Sequence, residues 1–141
     1  MKIDLPHQQK GAAAIEFALV FVIFFAVLYG VLSYSLPLLL VQSFNHATAE
    51  AARRSVAVDP SAAGYDALVV QVAKDVLAEK LAWVPSGLVV KQEATYVAGL
   101  LTVKASIKAS DLNAIMPVLK LGTITVPSLP ATLEATSSLK F

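Results

Sequence analysis

Residues 10–17 read Lys10-Gly11-Ala12-Ala13-Ala14-Ile15-Glu16-Phe17, and residues 17–41 follow as 25 residues without a charge. Only Gly30, Ser33, Ser35 and Pro37 interrupt that apolar run. A bilayer core of about 30 Å is crossed by about 20 helical residues at about 1.5 Å each. The run is long enough, with residues to spare. A secretory signal carries an apolar core of roughly 7–15 residues and a small-residue cleavage site after it. This core is longer, and Val41-Gln42-Ser43-Phe44 is a poor cleavage site. The reading is a retained membrane helix. Within it Glu16 stands out, because an acidic group at the centre of a membrane helix costs roughly 2.5–3.5 kcal/mol, less near the interface.

Composition agrees. The 141 residues are 57% hydrophobic and 15% charged, against roughly 25% charged in ordinary soluble domains. The length leaves room for one membrane helix and one small domain. The absence of cysteine rules out disulfides and thiol chemistry. A formal net charge of +1 offers no footprint for nucleic acid. Catalysis finds no support either. There is no phosphate-binding glycine loop, no triad-like set and no clustered carboxylates. His46 is alone on its helix face, without a second ligand at metal spacing. No enzyme activity, cofactor, metal or small-molecule substrate is expected.

Residues 1–10, MKIDLPHQQK, contain Pro6 and no periodicity, which predicts an extended leader. Gly11 puts a backbone without a side chain at its end, suited to a narrow protease cleft and expected to interrupt the helix. Ala12, Ala13 and Ala14 then favour helix strongly. The string from Gly11 to Val20, with Gly-x-x-x-x-Glu, an aromatic at Phe17 and a long apolar helix, resembles the start of TadE-like pseudopilins of tight-adherence (Tad or Flp, type IVb) pilus systems. Phe17, where major pilins of that system commonly carry tyrosine, resembles the minor proteins instead.

The resemblance implies cleavage between Gly11 and Ala12 by a membrane prepilin peptidase, with the leader in the cytoplasm. Glu16 would become the fifth residue of the mature chain, and the formal side-chain charge would fall from +1 to 0. Ala12 and Glu16 are i and i+4, on one helix face, and negative charge is favoured near a helix N-terminus. Glu16 can therefore pair with the new amine of its own chain or with that of a neighbouring subunit. A carboxylate reaching lipid headgroups is the plainer alternative. The positive-inside count does not decide orientation, since Lys2 and Lys10 on one side balance Arg53 and Arg54 on the other.

Farther along the helix, Ala26 and Gly30 form one small-x-x-x-small pair that permits close helix approach. Pro37 removes an amide hydrogen and is expected to kink or thin the helix. Past Val41 the pattern turns amphipathic without a breaker. Asn45, His46, Glu50, Arg53 and Arg54 form a polar face, with Glu50 placed three and four residues before the arginines. One helix over residues 12–58 would be roughly 70 Å long.

Asp59 is the candidate N-cap of a second helix with Pro60 at its first position. Tyr65, Leu68, Val69, Val72, Val76, Leu77 and Leu81 make its apolar stripe, and it should end near Trp83. Pro85-Ser86-Gly87 breaks the chain. Residues 89–97 and 101–109 read as strands joined by a tight turn at Ala98-Gly99, with Leu101, Val103, Ala105, Ile107 and Ala109 on one face. Residues 110–122 are an apolar connection that lies at the membrane surface or covers the sheet. Residues 123–126 suggest a short strand. Residues 132–140 alternate again, giving a final strand whose open edge could template a partner or be guarded by Lys140.

The expected fold is α+β and pilin-like: a long membrane helix, then one helix on a three- to four-stranded antiparallel sheet. The expected division is a cleavable leader at 1–11, a transmembrane helix at 12–41, a helical stalk at 42–58 and an extracytoplasmic domain at 59–141. The resemblance implies a single-pass protein of the bacterial inner membrane. Its N-terminus would be cytoplasmic and its domain periplasmic, with the prepilin peptidase and other pilin or pseudopilin subunits as partners. The alternative is an uncleaved single-span scaffold or docking module of a secretion system.

Overall fold

The computed structural model describes residues 8–141, with side chains from residue 11 onward except that of Leu121. Helix α1 runs over Gln8–Ser55, 48 residues, and α2 over Tyr65–Lys80. Strands β1 (Lys91–Val97) and β2 (Leu100–Lys108) follow, then a 3-10 helix over Ala109–Ala114. Strands β3 (Leu119–Leu121), β4 (Ile124–Val126) and β5 (Thr132–Lys140) complete the chain. The fold class is α+β, as expected. β1, β2 and β5 form an antiparallel sheet in the order β1-β2-β5, and β3 and β4 form a separate two-stranded ribbon. The short strand expected at 123–126 is therefore present, but outside the main sheet.

The expected extended leader lies outside the described residues at 1–7, whereas residues 8–10 are already helical and continue through Gly11 without a break. The interruption expected at Gly11 is absent. A lone glycine costs about 1 kcal/mol relative to alanine, and the alanines after it favour propagation. α1 likewise continues through Pro37. Proline takes away the amide that would bond the Ser33 carbonyl, but the rest of the ladder carries the helix past it.

The β1–β2 hairpin follows the alternation in the sequence. Leu101, Val103, Ala105 and Ile107 are all buried, on the face that meets the helices. Ala98 at φ 50° and Gly99 at φ 78° fill the two-residue loop, the paired left-handed geometry whose twist matches the strands. The opposite face is polar and open, crossed by a Lys104–Glu134 ion pair at 2.8 Å and a Thr102–Ser138 hydroxyl contact at 3.2 Å.

Two helices, not one, cover the inner face. The residues read as a stalk are helical to Ser55 and contribute Phe44, Ala47, Ala51 and Ala52 to the core, joined by Leu40 from the segment read as transmembrane. Thr48 Oγ1 meets Ser137 Oγ of β5 at 2.9 Å. Ser55 donates to the Ala51 carbonyl at 2.8 Å and to the Val69 carbonyl of α2 at 3.3 Å. A serine side chain reaches the backbone of the next helix only when the two lie close, and alanines on both faces permit that approach. On α2 the buried stripe is Val69, Ala73, Val76 and Leu77, whereas Leu68 faces solvent. The stripe is thus rotated from the expected one, because close contact with α1 selects the small Ala73.

Asp59 does not cap α2. Its carboxylate accepts from the Ser61 amide at 2.9 Å and the Ser61 hydroxyl at 2.7 Å, closing a local turn. Those hydrogen bonds hold its carboxyl below the usual range. The residue before α2 is Gly64, at φ 74°, and the helix ends at Lys80, short of Trp83. Glu50 pairs with Arg53 at 2.9 Å and Arg54 at 2.8 Å, as its spacing predicts, and Arg54 also reaches Glu79 of α2 at 3.2 Å.

Candidate functional site

The site is the N-terminal half of α1. Every residue from 11 to 28 is exposed, a bare stretch of about 27 Å at 1.5 Å per residue. Its surface is apolar on all sides, with Ile15, Phe17, Val20, Val22, Phe24 and Val27 each open. Phe17, Phe21 and Phe25 stack along one edge, with ring centroids 5.9 and 4.4 Å apart. A helix hydrophobic all round belongs in lipid or inside an assembly rather than in water. Among the described residues α1 is one helix long and apolar enough to cross a membrane, and the chain fits a single-pass membrane protein.

Gly11, Ala12, Glu16 and Phe17 all lie on this bare stretch, in the first turns of α1. Ala12 and Glu16 are one turn apart on the same face. While Ala12 remains in a peptide bond it carries no charge for Glu16 to meet. Hydrolysis of the bond between Gly11 and Ala12 would create an ammonium there, within reach of this carboxylate or of one on an adjacent helix. The ion pairs among the described side chains all lie in the head, from Glu50 onward.

Ala26 and Gly30 mark the end of the bare stretch. A Cβ added at Gly30 would meet nothing within 4 Å, so the glycine is not there to admit another part of this chain. The two serines of the apolar run are satisfied locally. Ser33 donates to the Gly30 carbonyl at 3.0 Å and Ser35 to the Leu32 carbonyl at 2.7 Å, which hides their hydroxyls in an apolar setting.

Two residues of this region lay unnoticed in the sequence. Tyr29 donates its hydroxyl to the Pro117 carbonyl, and Tyr34 accepts from the Ser128 amide at 2.9 Å. Tyr29 is half-buried and Ser33, Pro37 and Leu40 are buried, so the head docks on α1 from Tyr29 onward. Tyrosines toward one end of an apolar helix are the mark of a membrane–water boundary, and that rule could have singled them out.

One family model matches a part of the chain, under a third of its length. Residues 11–53 match the TadE-like protein family model. The match is consistent with a TadE-like protein of the Tad pilus system, and it starts at Gly11. It spans the bare helix and the part of α1 that enters the head. No curated protein and no solved structure matches the chain. Among the described residues no three His, Cys, Asp or Glu side chains come together as metal ligands.

Proposed function

We propose that this protein is a minor pilin or pseudopilin that is cut by a prepilin peptidase after Gly11 and takes part in assembling a Tad-type pilus for surface adherence. The observation that carries the proposal is the TadE-like match beginning at Gly11, on a helix whose next 17 residues are all exposed. A bare apolar helix joined to a folded head suits a subunit stored in a membrane and transferred into a helical bundle. In this reading the protein sits in the bacterial inner membrane with Gly11 at the cytoplasmic side and the head in the periplasm. It acts by association with other subunits and performs no chemistry of its own.

Cleavage requires the helix to open around Gly11, since a peptidase acts on extended backbone. A glycine lowers the cost of opening by about 1 kcal/mol relative to alanine. The amine released at Ala12 then gives Glu16 a partner, in its own chain or in a neighbour.

The test is intact mass of the full-length chain extracted from membranes of cells carrying a prepilin peptidase. Loss of residues 1–11 is expected for the wild type and for Glu16→Ala, and retention of Met1 for Gly11→Leu. Glu16→Ala should be processed yet fail to co-purify with the other subunits. A wild-type chain that keeps Met1 under these conditions overturns the reading and favours an uncleaved single-span scaffold.

A further inference from the structure

We propose that residues 115–128 form an interfacial finger, seated in the head-side leaflet of the membrane that α1 crosses. The inference needs α1 to span a bilayer but does not depend on cleavage or on a pilus.

The first observation is composition. Residues 112–133 contain one charge, Lys120. The second is exposure. Ile124 is 62% exposed and Ile115 45% exposed, although a core lies next to them. The third is position along α1. The base of the finger is tied to the helix at both ends, through Tyr29 to Pro117 and through Tyr34 to Ser128.

Those ties set the depth. The hydrocarbon begins between Ala12 and Phe17, where polar and charged residues give way to the apolar run. About 20 residues later, between positions 32 and 37, it ends. Tyr34 therefore lies within about one turn of the head-side boundary for either starting point, with Tyr29 on its lipid side. The finger cannot lie along α1 at that height without meeting lipid on its free side.

Backbone chemistry then limits how far it enters. β3 and β4 pair only with each other, Leu119 with Val126 and Leu121 with Ile124, so each has an unpaired outer edge. Unpaired peptide groups are not tolerated in hydrocarbon but are tolerated where water and headgroups reach. The two tyrosines satisfy one carbonyl and one amide at the base. Lys120 can extend its ammonium to lipid phosphates while its methylenes stay among acyl chains. Trp83, 48% exposed beside Leu39 of α1, is a third ring, placed just above the same boundary.

The chain has no cysteine, so a single introduced cysteine reports one place. Full-length Ile124→Cys would be labelled with an environment-sensitive fluorophore and reconstituted in phosphatidylcholine–phosphatidylglycerol vesicles. Val97→Cys, 70% exposed beside the β1–β2 turn at the opposite end of the sheet, is the control. Thr123→Cys repeats the measurement on the finger loop, and Trp83 emission checks that each variant is folded. Quenching by lipids spin-labelled near the headgroup should be at least three-fold stronger at 124 and 123 than at 97. Iodide on both sides of the membrane should show the reverse order. Equal iodide quenching at all three sites overturns the proposal. So does protection of 123 and 124 from both quenchers, which would put a neighbouring protein on the finger instead of lipid.

Discussion

Replacing Phe44 by alanine tests whether α1 is both a membrane helix and the spine of the head. Phe44 lies only three residues beyond the apolar run that ends at Val41, yet its side chain is fully buried. It sits one turn beyond Leu40 and one turn before Ala47 and Thr48, on the face shared by α2 and the sheet. Truncating a fully buried phenylalanine costs about 3–5 kcal/mol, from lost transfer energy plus the cavity left behind. A domain of this size is stable by about 5–15 kcal/mol, so the change would remove a large share of its stability. With a urea slope of about 2 kcal/mol/M, the midpoint should fall by about 2 M. The assay is urea unfolding of the full-length protein in mild detergent, followed through the single tryptophan, Trp83, which sits where α2 ends beside α1. Leu39→Ala, at an exposed position of the same helix, is the control and should move the midpoint by less than about 0.5 M. A Phe44→Ala midpoint within that same margin would refute the placement of α1 in the core and return residues 42–58 to a free stalk.

Two further outcomes follow from the head. Ala98→Asn should stabilise it by about 0.5–1 kcal/mol, measured by the same unfolding assay, because alanine at φ 50° bears a left-handed penalty that asparagine bears less. The Glu50 carboxyl is held below its usual range, first by its hydrogen bond from Arg54 and then by the nearby Arg53, against an opposing effect of burial. Its folded pKa is thus lower than its unfolded value of about 4.3. Its contribution is present above that unfolded value and is lost as pH falls through the lower folded one. Glu50→Gln should therefore flatten the fall in head stability below about pH 5, read as unfolding midpoint against pH. An unchanged slope would show that the pair contributes nothing.

Local pattern made several features legible. The 25 uncharged residues announced a membrane helix, the alternation from Leu101 announced a half-buried strand, and Ala98-Gly99 announced its turn. Glu50 with Arg53 and Arg54 likewise followed from spacing alone. What failed had two causes. Asp59 looked like a cap, but its side chain closed a local turn on Ser61, and a left-handed Gly64 preceded α2 instead. Leu68 looked like core, but close contact with α1, a neighbour distant in sequence, favoured the small Ala73.

The candidate site divides in the same way. Gly11, Ala12, Glu16 and Phe17 were visible as a motif because their types and spacing are local. Tyr29 and Tyr34 were legible only as boundary aromatics and not as docking residues, because their partners Pro117 and Ser128 lie 88 and 94 residues away. In a run that is apolar on every face, periodicity cannot distinguish a side that meets lipid from a side that meets protein. The amino-acid order alone determined that this chain has a helix able to cross a membrane, a marked glycine and glutamate at its start, and a hairpin to follow. Tertiary structure decided where that helix stops being bare and becomes core. From Tyr29 onward, hydrogen bonds and close packing from the head, rather than any change in hydrophobicity, draw the boundary.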